Sequence, residues 1–215
     1  MRHMPVSEPQ SGTQPLSTPA LAGQPTLILA STSAYRRELL ERLRIPFDVV
    51  RPEVDEAPFA NEAPQDTARR LSLAKAQAVA NRFPHSVVIG SDQVADLNGQ
   101  ALGKPGNHER AVMQLTRMSS HVVLFHTAVS VLRMDRGISQ TLCACARVKF
   151  RELGRAEIEA YLLAEQPYDC AGSAKSEGLG IALLESIESD DPTTLVGLPL
   201  MRTASLLRAA GVRIL

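Results

Sequence analysis

The chain has 215 residues, of which 44% are hydrophobic and 21% charged, a composition that is typical of soluble globular proteins and excludes a disordered or membrane chain. Lysine plus arginine number 23 and aspartate plus glutamate also number 23, so there is no overall positive field to hold a nucleic acid. With three cysteines, no run of 18 apolar residues and no secretory leader, we expect a cytoplasmic protein without a disulfide framework or a membrane partner.

Residues 1–25 contain five prolines among serine, threonine, glutamine and glycine. Such a segment has too little apolar surface to offset the entropy of ordering it, which predicts a disordered N-terminal tail. The remaining residues, 26–215, have the size of one globular domain.

Hydrophobic periodicity and capping residues predict alternating strands and helices over the rest of the chain. Strands are predicted at 26–31, 47–50, 87–97, 121–134 and 138–150, and helices after Ser33 and at 64–82, 107–118, 155–165 and 198–210. In the long second helix, we expect Ala68, Leu71, Ala78 and Val79 to face inward. The interleaving of strands and helices indicates an α/β domain with a mixed sheet.

A candidate phosphate site lies at the predicted start of the first helix. Ser31, Ser33, Arg36 and Arg37 bring hydroxyls and guanidinium groups to the positive end of the helix dipole. The alternative is a capped helix with two solvated arginines.

An acidic loop with Glu53, Asp55 and Glu56 follows the second predicted strand. Alternation along an extended segment would aim Glu53 and Asp55 to the same side. Carboxylate oxygens suit magnesium or manganese bridged to substrate phosphates, although acidic loops are also often only solvated.

Asp92 interrupts a strand that otherwise consists of valine and isoleucine. Burying a charge costs free energy unless the charge is paired or binds a metal. Asp92 either binds a metal or activates a water, or it is a structural carboxylate that fixes a bulge at Gly90. Lys75, on the inward edge of the long helix, and Lys104 could reach phosphates or could be surface residues with buried stems.

The segment 170–180 contains three glycines, which allow a close approach of the backbone to a ligand. Its spacing fits neither a Walker loop nor a dinucleotide fingerprint. Lys175 and Glu177 are hard to explain in a flexible turn, which is the alternative. Cys143 and Cys145 lack a second ligand pair, so no zinc site is expected.

Six short motifs, in this order along the chain, resemble the Maf family of nucleotide pyrophosphatases. They are Leu29-Ala-Ser-x-Ser33 with Arg36, Val54-Asp-Glu56, Lys75-Ala, Gly90-Ser-Asp-Gln93, Gly103-Lys-Pro105 and Gly172-Ser-x-Lys-Ser-Glu-Gly178. The resemblance runs from about Leu27 to the last helix. It implies a Maf/ITPase-like single α/β domain, with a mixed, twisted sheet flanked by helices and a central cleft, and a homodimer.

Within the family, Ser-Asp-Gln at 91–93 and Lys-Ser-Glu-Gly at 175–178 resemble the branch that hydrolyses 7-methyl-GTP. By that resemblance Asp92 is the proton acceptor, and Tyr35, Gln93 and Glu177 select the base. Ala34 stands where the family usually has proline, and Tyr35 where this branch often has tryptophan.

The same resemblance implies a divalent cation, magnesium, manganese or cobalt, with ligands among Glu53, Asp55, Glu56 and Asp92. Ser31, Ser33, Arg36, Lys75, Lys104 and Lys175 would bind the phosphates. The expected reaction cuts a nucleoside triphosphate between its alpha and beta phosphates. The alternatives are a dTTP or UTP pyrophosphatase, a nucleotide-binding regulator of cell division, and an α/β binding module without catalysis.

Overall fold

The structure is a computed structural model that describes residues 23–215. Residues 1–22, which form most of the predicted disordered tail, lie outside the described part of the chain. The strands are β1 (Leu27–Ala30), β2 (Asp48–Val50), β3 (Val87–Leu97), β4 (Gln100–Leu102), β5 (Val122–Arg133), β6 (Ile138–Phe150) and β7 (Leu184–Glu188). The helices are α1 (Ala34–Glu41), α2 (Pro64–Ala80), α3 (His108–Met118), α4 (Arg155–Glu165) and α5 (Leu200–Ala209).

The described strands form one seven-stranded sheet in the order β2-β1-β3-β5-β6-β7, with β4 paired to β3. β1 runs parallel to β2 and β3, whereas β3, β4, β5, β6 and β7 pair antiparallel. The predicted α/β class with a mixed sheet is therefore confirmed. β7 was not predicted, because four of its five residues are exposed and the segment lacks a buried apolar face.

Two apolar clusters pack on one face of the sheet, at opposite ends of β3. Leu29 and Ile89 belong to the cluster beneath α1 and α5, and Ala95 and Phe125 to the cluster beneath α3 and α4. A third cluster lies on the other face, beneath α2. In residues 23–215, none of the helices combines the length and the apolar character that crossing a bilayer requires.

Helix α2 lies very close to β3. A Cβ atom on Gly90 would stand 2.2 Å from the carbonyl oxygen of Ser72 and 2.6 Å from the amide nitrogen of Ala76. β3 pairs with β5 without a register shift through Gly90↔Ser130, so the bulge considered at Gly90 is wrong. This glycine instead permits the close approach of a helix to a strand.

The inward face of α2 differs in one position from the prediction. Ala68, Leu71 and Val79 are buried as expected, whereas Ala78 is only partly buried and Ala76 takes the inward position. Lys75 is buried next to Ala76, so a charged side chain lies between α2 and the sheet.

Candidate active site

A cleft opens beside the middle of β3, where none of the strands in residues 23–215 pairs with one of its edges. β1 pairs with β3 only as far as Gly90, and β4 pairs with it only from Ala95. The intervening residues 91–94 therefore have a free edge at the carboxyl end of β1, which is a common position for ligand sites in α/β proteins. The cleft has a volume of about 960 Å³.

Most of the side chains that the sequence nominated lie at this cleft. Its lining includes Ser31, Ser33, Tyr35, Arg36, Glu56, Lys75, Asp92, Gln93, Lys104 and Glu177. Glu53, Asp55 and Lys175 are not part of the lining. Segments from 31 to 197 thus contribute to one site.

The start of α1 forms one wall of the cleft. Ser33 caps the helix by accepting a hydrogen bond from the Arg36 amide, and Ser31 Oγ accepts one from the Ser33 amide at 3.1 Å. Arg36 Nε donates to the carbonyl oxygen of Gly197 at 2.9 Å. Burial lowers the pKa of Arg36, and the charges of Asp92 and Glu56 oppose this effect. A guanidinium group stays charged in proteins, so this wall is positive.

A lysine between two carboxylates forms the floor of the cleft. Lys75 Nζ lies 2.6 Å from Asp92 Oδ1 and 2.8 Å from Glu56 Oε1. Asp92 is buried on β3, whereas Glu56 extends from the loop before α2. Burial raises the pKa of Glu56, but the hydrogen bond and charge of Lys75, with the charges of Lys104 and Arg36, bring it below its usual value. Glu56 is therefore ionised at neutral pH.

The carboxylates of Glu56 and Asp92 fit a cation that is shared with a phosphorylated ligand. Magnesium typically binds one or two carboxylates and completes its shell with water and substrate phosphates. Among residues 23–215, no three His, Cys, Asp or Glu side chains are grouped closely enough to hold a metal alone. Glu56 and Asp92, which both contact Lys75, therefore suit a cation that binds together with the substrate. They do not form a closed structural metal site.

Glu53 and Asp55 are not part of the lining of the cleft. Both are exposed, and Asp55 Oδ1 accepts a hydrogen bond from the Ala57 amide at 2.9 Å. Of the three acidic residues in the loop, the structure brings Glu56 alone to the cleft. Alternation along the chain predicted that Glu53 and Asp55 share one side, but it did not predict that Glu56 is the residue at the cleft.

The lining of the cleft also includes an aromatic ring and a further carboxylate, those of Tyr35 and Glu177. Burial, with smaller effects of Cys170 and Asp169, raises the pKa of Tyr35 to about 12, so its phenol is protonated at neutral pH. Burial also raises the pKa of Cys170 to about 12, which leaves its thiol a poor nucleophile. Glu177 also lines the cleft, and its side chain is exposed.

Gln93 lines the cleft, but its amide nitrogen is used within the fold. Gln93 Nε2 lies 2.9 Å from Thr127 Oγ1 and 3.0 Å from the carbonyl oxygens of Thr194 and Leu195. These contacts join β3 to the loop that precedes α5. Gln93 thereby positions one wall of the cleft.

Lys175 is not part of the lining of the cleft. Its Nζ donates to Glu165 Oε1 at 2.7 Å and lies 5.7 Å from the centroid of the Tyr35 ring. The sequence prediction grouped Lys175 with the other lysines because residue type alone does not reveal its partner. The structure separates it from Lys75 and Lys104.

Sequence reasoning did not identify the loop that holds Arg36. Asp191 is fully buried and accepts hydrogen bonds from the amides of Thr193 and Met201. This loop presents the Gly197 carbonyl to Arg36 Nε and Ser91 Oγ. An aspartate followed two residues later by a threonine is a local turn signal that could have indicated the anchor.

The fold and the cleft define an α/β protein whose site combines buried basic groups, a helix N-terminus and paired carboxylates, a combination suited to a phosphorylated ligand. The comparison with known families agrees with this description. The family model described as Maf-like protein matches residues 26–210, and the chain belongs to the Maf family.

Several relatives are similar over most of their length. The chain is 64% identical over 199 residues, 91% of each chain, to a protein of Polaromonas sp. named 7-methyl-GTP pyrophosphatase. Proteins with the same name from Albidiferax ferrireducens and Burkholderia thailandensis are 63% and 60% identical, over 89% and 87% of this chain and 96% and 88% of theirs. A solved HAM1 protein from Coxiella burnetii is 10% identical and covers 59% of this chain and 73% of its own at a TM-score of 0.39, too low to carry an argument.

Proposed function

We propose that this protein is an enzyme that hydrolyses 7-methyl-GTP to 7-methyl-GMP and pyrophosphate. The observation that carries the proposal is the 64% identity, over 91% of both chains, to a relative named for this activity. The cleft supports the proposal independently, because its lining combines basic side chains with an aromatic ring and a carboxylate.

The basic side chains of the cleft meet the triphosphate with fixed positive charge. Arg36, Lys75 and Lys104 neutralise phosphate oxygens, and the hydroxyls of Ser31 and Ser33 lie at the N-terminus of α1, where the helix dipole favours anions. Phosphoryl transfer requires mainly positioning and charge neutralisation from the protein. These groups supply both.

The attacking water is oriented and deprotonated by Asp92. This carboxylate lies on rigid β3, and Lys75 holds one of its oxygens, which fixes its rotamer. Glu56 and Asp92 would hold a magnesium, manganese or cobalt ion, whose chemistry is to offset the charge that develops on the phosphates. Asp92 receives the proton from water as the water oxygen bonds to the alpha phosphorus, the bond from this phosphorus to the oxygen that bridges the beta phosphate breaks, and pyrophosphate leaves.

Tyr35 and Glu177 select the base. Methylation at N7 gives guanine a positive charge, so stacking on the Tyr35 ring contributes roughly 0.5 to 2 kcal/mol. The Glu177 carboxylate accepts hydrogen bonds from the Watson-Crick edge of the base, and charge strengthens such bonds. Unmethylated GTP lacks the positive charge and gains less from both groups.

A nucleotide panel tests this function. Pyrophosphate release is measured with magnesium, manganese or cobalt for 7-methyl-GTP, GTP, dTTP and UTP. We expect 7-methyl-GTP to have the highest kcat/KM and to require one of the three metals. Faster release from dTTP or UTP, or nucleotide binding without pyrophosphate, would sink the proposal. The cytoplasmic location and the homodimer stay predictions.

A further inference from the structure

The last residue of α4 is an acid in an unfavourable electrostatic position. A carboxylate at the C-terminal end of a helix faces the negative end of the dipole. Glu165 ends α4, yet its side chain is only 17% exposed. Its two oxygens accept hydrogen bonds from Lys175 Nζ at 2.7 Å and from the Leu179 amide at 2.9 Å. These two contacts offset the unfavourable position.

The segment that carries Glu177 is folded around this carboxylate. A Cβ atom on Gly178 would lie 2.7 Å from Glu165 Oε2 and 2.8 Å from Oε1. The Gly178 amide in turn donates to the Lys175 carbonyl at 3.1 Å. Glu165 is therefore packed against the turn on both sides of Glu177 and determines where Glu177 lies.

The Lys175 ammonium lies close to Tyr35 and Glu177, the two residues proposed to select the base. Its Nζ is 5.7 Å from the centroid of the Tyr35 ring, and Lys175 and Glu177 interact through their charges. The hydrogen bond to Glu165 raises the pKa of Lys175, so the ammonium is charged but neutralised by its partner. Without Glu165, the ammonium would lose its ion-pair partner, and its full charge would act on Tyr35 and Glu177.

We propose that Glu165 is a positioning residue for base specificity: its carboxylate pairs with the Lys175 ammonium, so that the charge of Lys175 is neutralised by Glu165 and the Glu177 carboxylate stays available to a cationic base. The inference rests on the proposed function and deepens it. Glu165 touches neither the phosphates nor the reacting atoms, so its effect is confined to discrimination between charged and neutral bases.

The experiment compares kcat/KM for 7-methyl-GTP with kcat/KM for GTP. In Glu165→Gln, the Leu179 contact can persist while the charge that neutralises Lys175 is lost. We expect the ratio of the two kcat/KM values to fall by about tenfold, mainly through KM for 7-methyl-GTP. Turnover of GTP should stay within about twofold of the unmodified protein.

A double variant separates charge from local structure. In Glu165→Gln with Lys175→Met, the freed ammonium is removed as well, so the ratio should return toward its original value. Thermal unfolding is measured for both variants, and we expect both to be folded at the assay temperature. Glu157→Gln is the matched control, because Glu157 lies on the same helix and pairs with Arg151.

The outcomes distinguish the two proposals. If the unmodified protein does not prefer 7-methyl-GTP over GTP, the proposed function fails and the positioning role fails with it. If it does prefer 7-methyl-GTP, an unchanged ratio in Glu165→Gln overturns the positioning role alone. Equal losses on both nucleotides, or a double variant no better than the single one, also overturn it, because a purely structural defect would have those effects.

Discussion

Lys75 contributes one positive charge between two carboxylates, so the group of Glu56, Lys75 and Asp92 keeps a net negative charge when all three are ionised. That charge attracts a divalent cation, whereas Arg36 beside it attracts phosphate. Replacing one buried partner leaves the others uncompensated. In the proposed mechanism Glu56 is a cation ligand alone, whereas Asp92 is both a cation ligand and the proton acceptor.

Asp92→Asn should remove the proton acceptor and leave the fold intact, because asparagine has the same shape and can still contact Lys75. We expect kcat for pyrophosphate release to fall by roughly 100-fold or more. Asp66→Asn, at an exposed acid in the first turn of α2, is the control. Near-normal kcat in Asp92→Asn at saturating metal would contradict the role of Asp92.

Glu56→Gln and Glu53→Gln form a matched pair within one loop. Glu56 contacts Lys75 at the cleft, whereas Glu53 is exposed and outside it. We expect Glu56→Gln to raise the metal concentration for half-maximal activity by about tenfold, the loss of one charge-assisted contact. Glu53→Gln should leave it unchanged, and equal shifts in the two metal titrations would refute the assignment.

At the scale of elements, the contact between α2 and β3 brings Lys75 to Asp92. Gly90 permits this contact, because any side chain there would overlap the backbone of Ser72. The loop before α2 is held by Arg70, which pairs with Glu62 at 2.6 Å and stacks on Phe59 at 3.9 Å. The positions of Lys75 and Glu56 within the cleft thus depend on contacts at Gly90 and Arg70, which are remote from the reacting groups.

Gly90→Ala should lower the free energy of unfolding by about 3 kcal/mol, because the added methyl forces α2 away from β3. Urea denaturation followed by circular dichroism measures the change. Gly103→Ala is the control, since a Cβ there meets nothing within 4 Å. Equal stabilities of the two variants would show that α2 can shift without cost.

At the scale of the whole molecule, ion pairs outside the cleft link stability to pH. Hydrogen bonds from Arg70 lower the pKa of Glu62 from 4.5 to about 2. Hydrogen bonds from Arg202 likewise lower the pKa of Asp190. A carboxyl whose pKa is lower in the folded state stabilises the protein above its unfolded pKa, and this contribution is lost as the pH falls through the folded pKa.

The Tm should therefore fall as the pH decreases from about 5 to about 3, because in this range these carboxyls take up protons in the unfolded chain more readily than in the folded protein. Scanning calorimetry across this range measures the effect. Glu62→Gln should have a lower Tm than the unmodified protein at neutral pH, and a smaller difference near pH 3. A constant difference across the range would contradict the linkage to Glu62.

The sequence was sufficient to predict most elements and most of the nominated side chains that line the cleft, but not the loop that ends at Gly197. The helix at Arg155–Glu165 agrees with its prediction at both ends, and the strand at Val87–Leu97 likewise. Both segments have strong periodicity or strong boundary signals. β7 has neither, because it is an exposed edge strand whose partner β6 is distant in sequence.

What the sequence determined by itself is local: the caps, the apolar periods and the residue types of each motif, since these depend on neighbours within a few positions. Tertiary structure decided which charged side chains pair. Lys75 turns to Asp92 and Glu56, Lys175 turns to Glu165, and Glu53 remains in solvent. Such choices depend on distances between segments that only packing brings together.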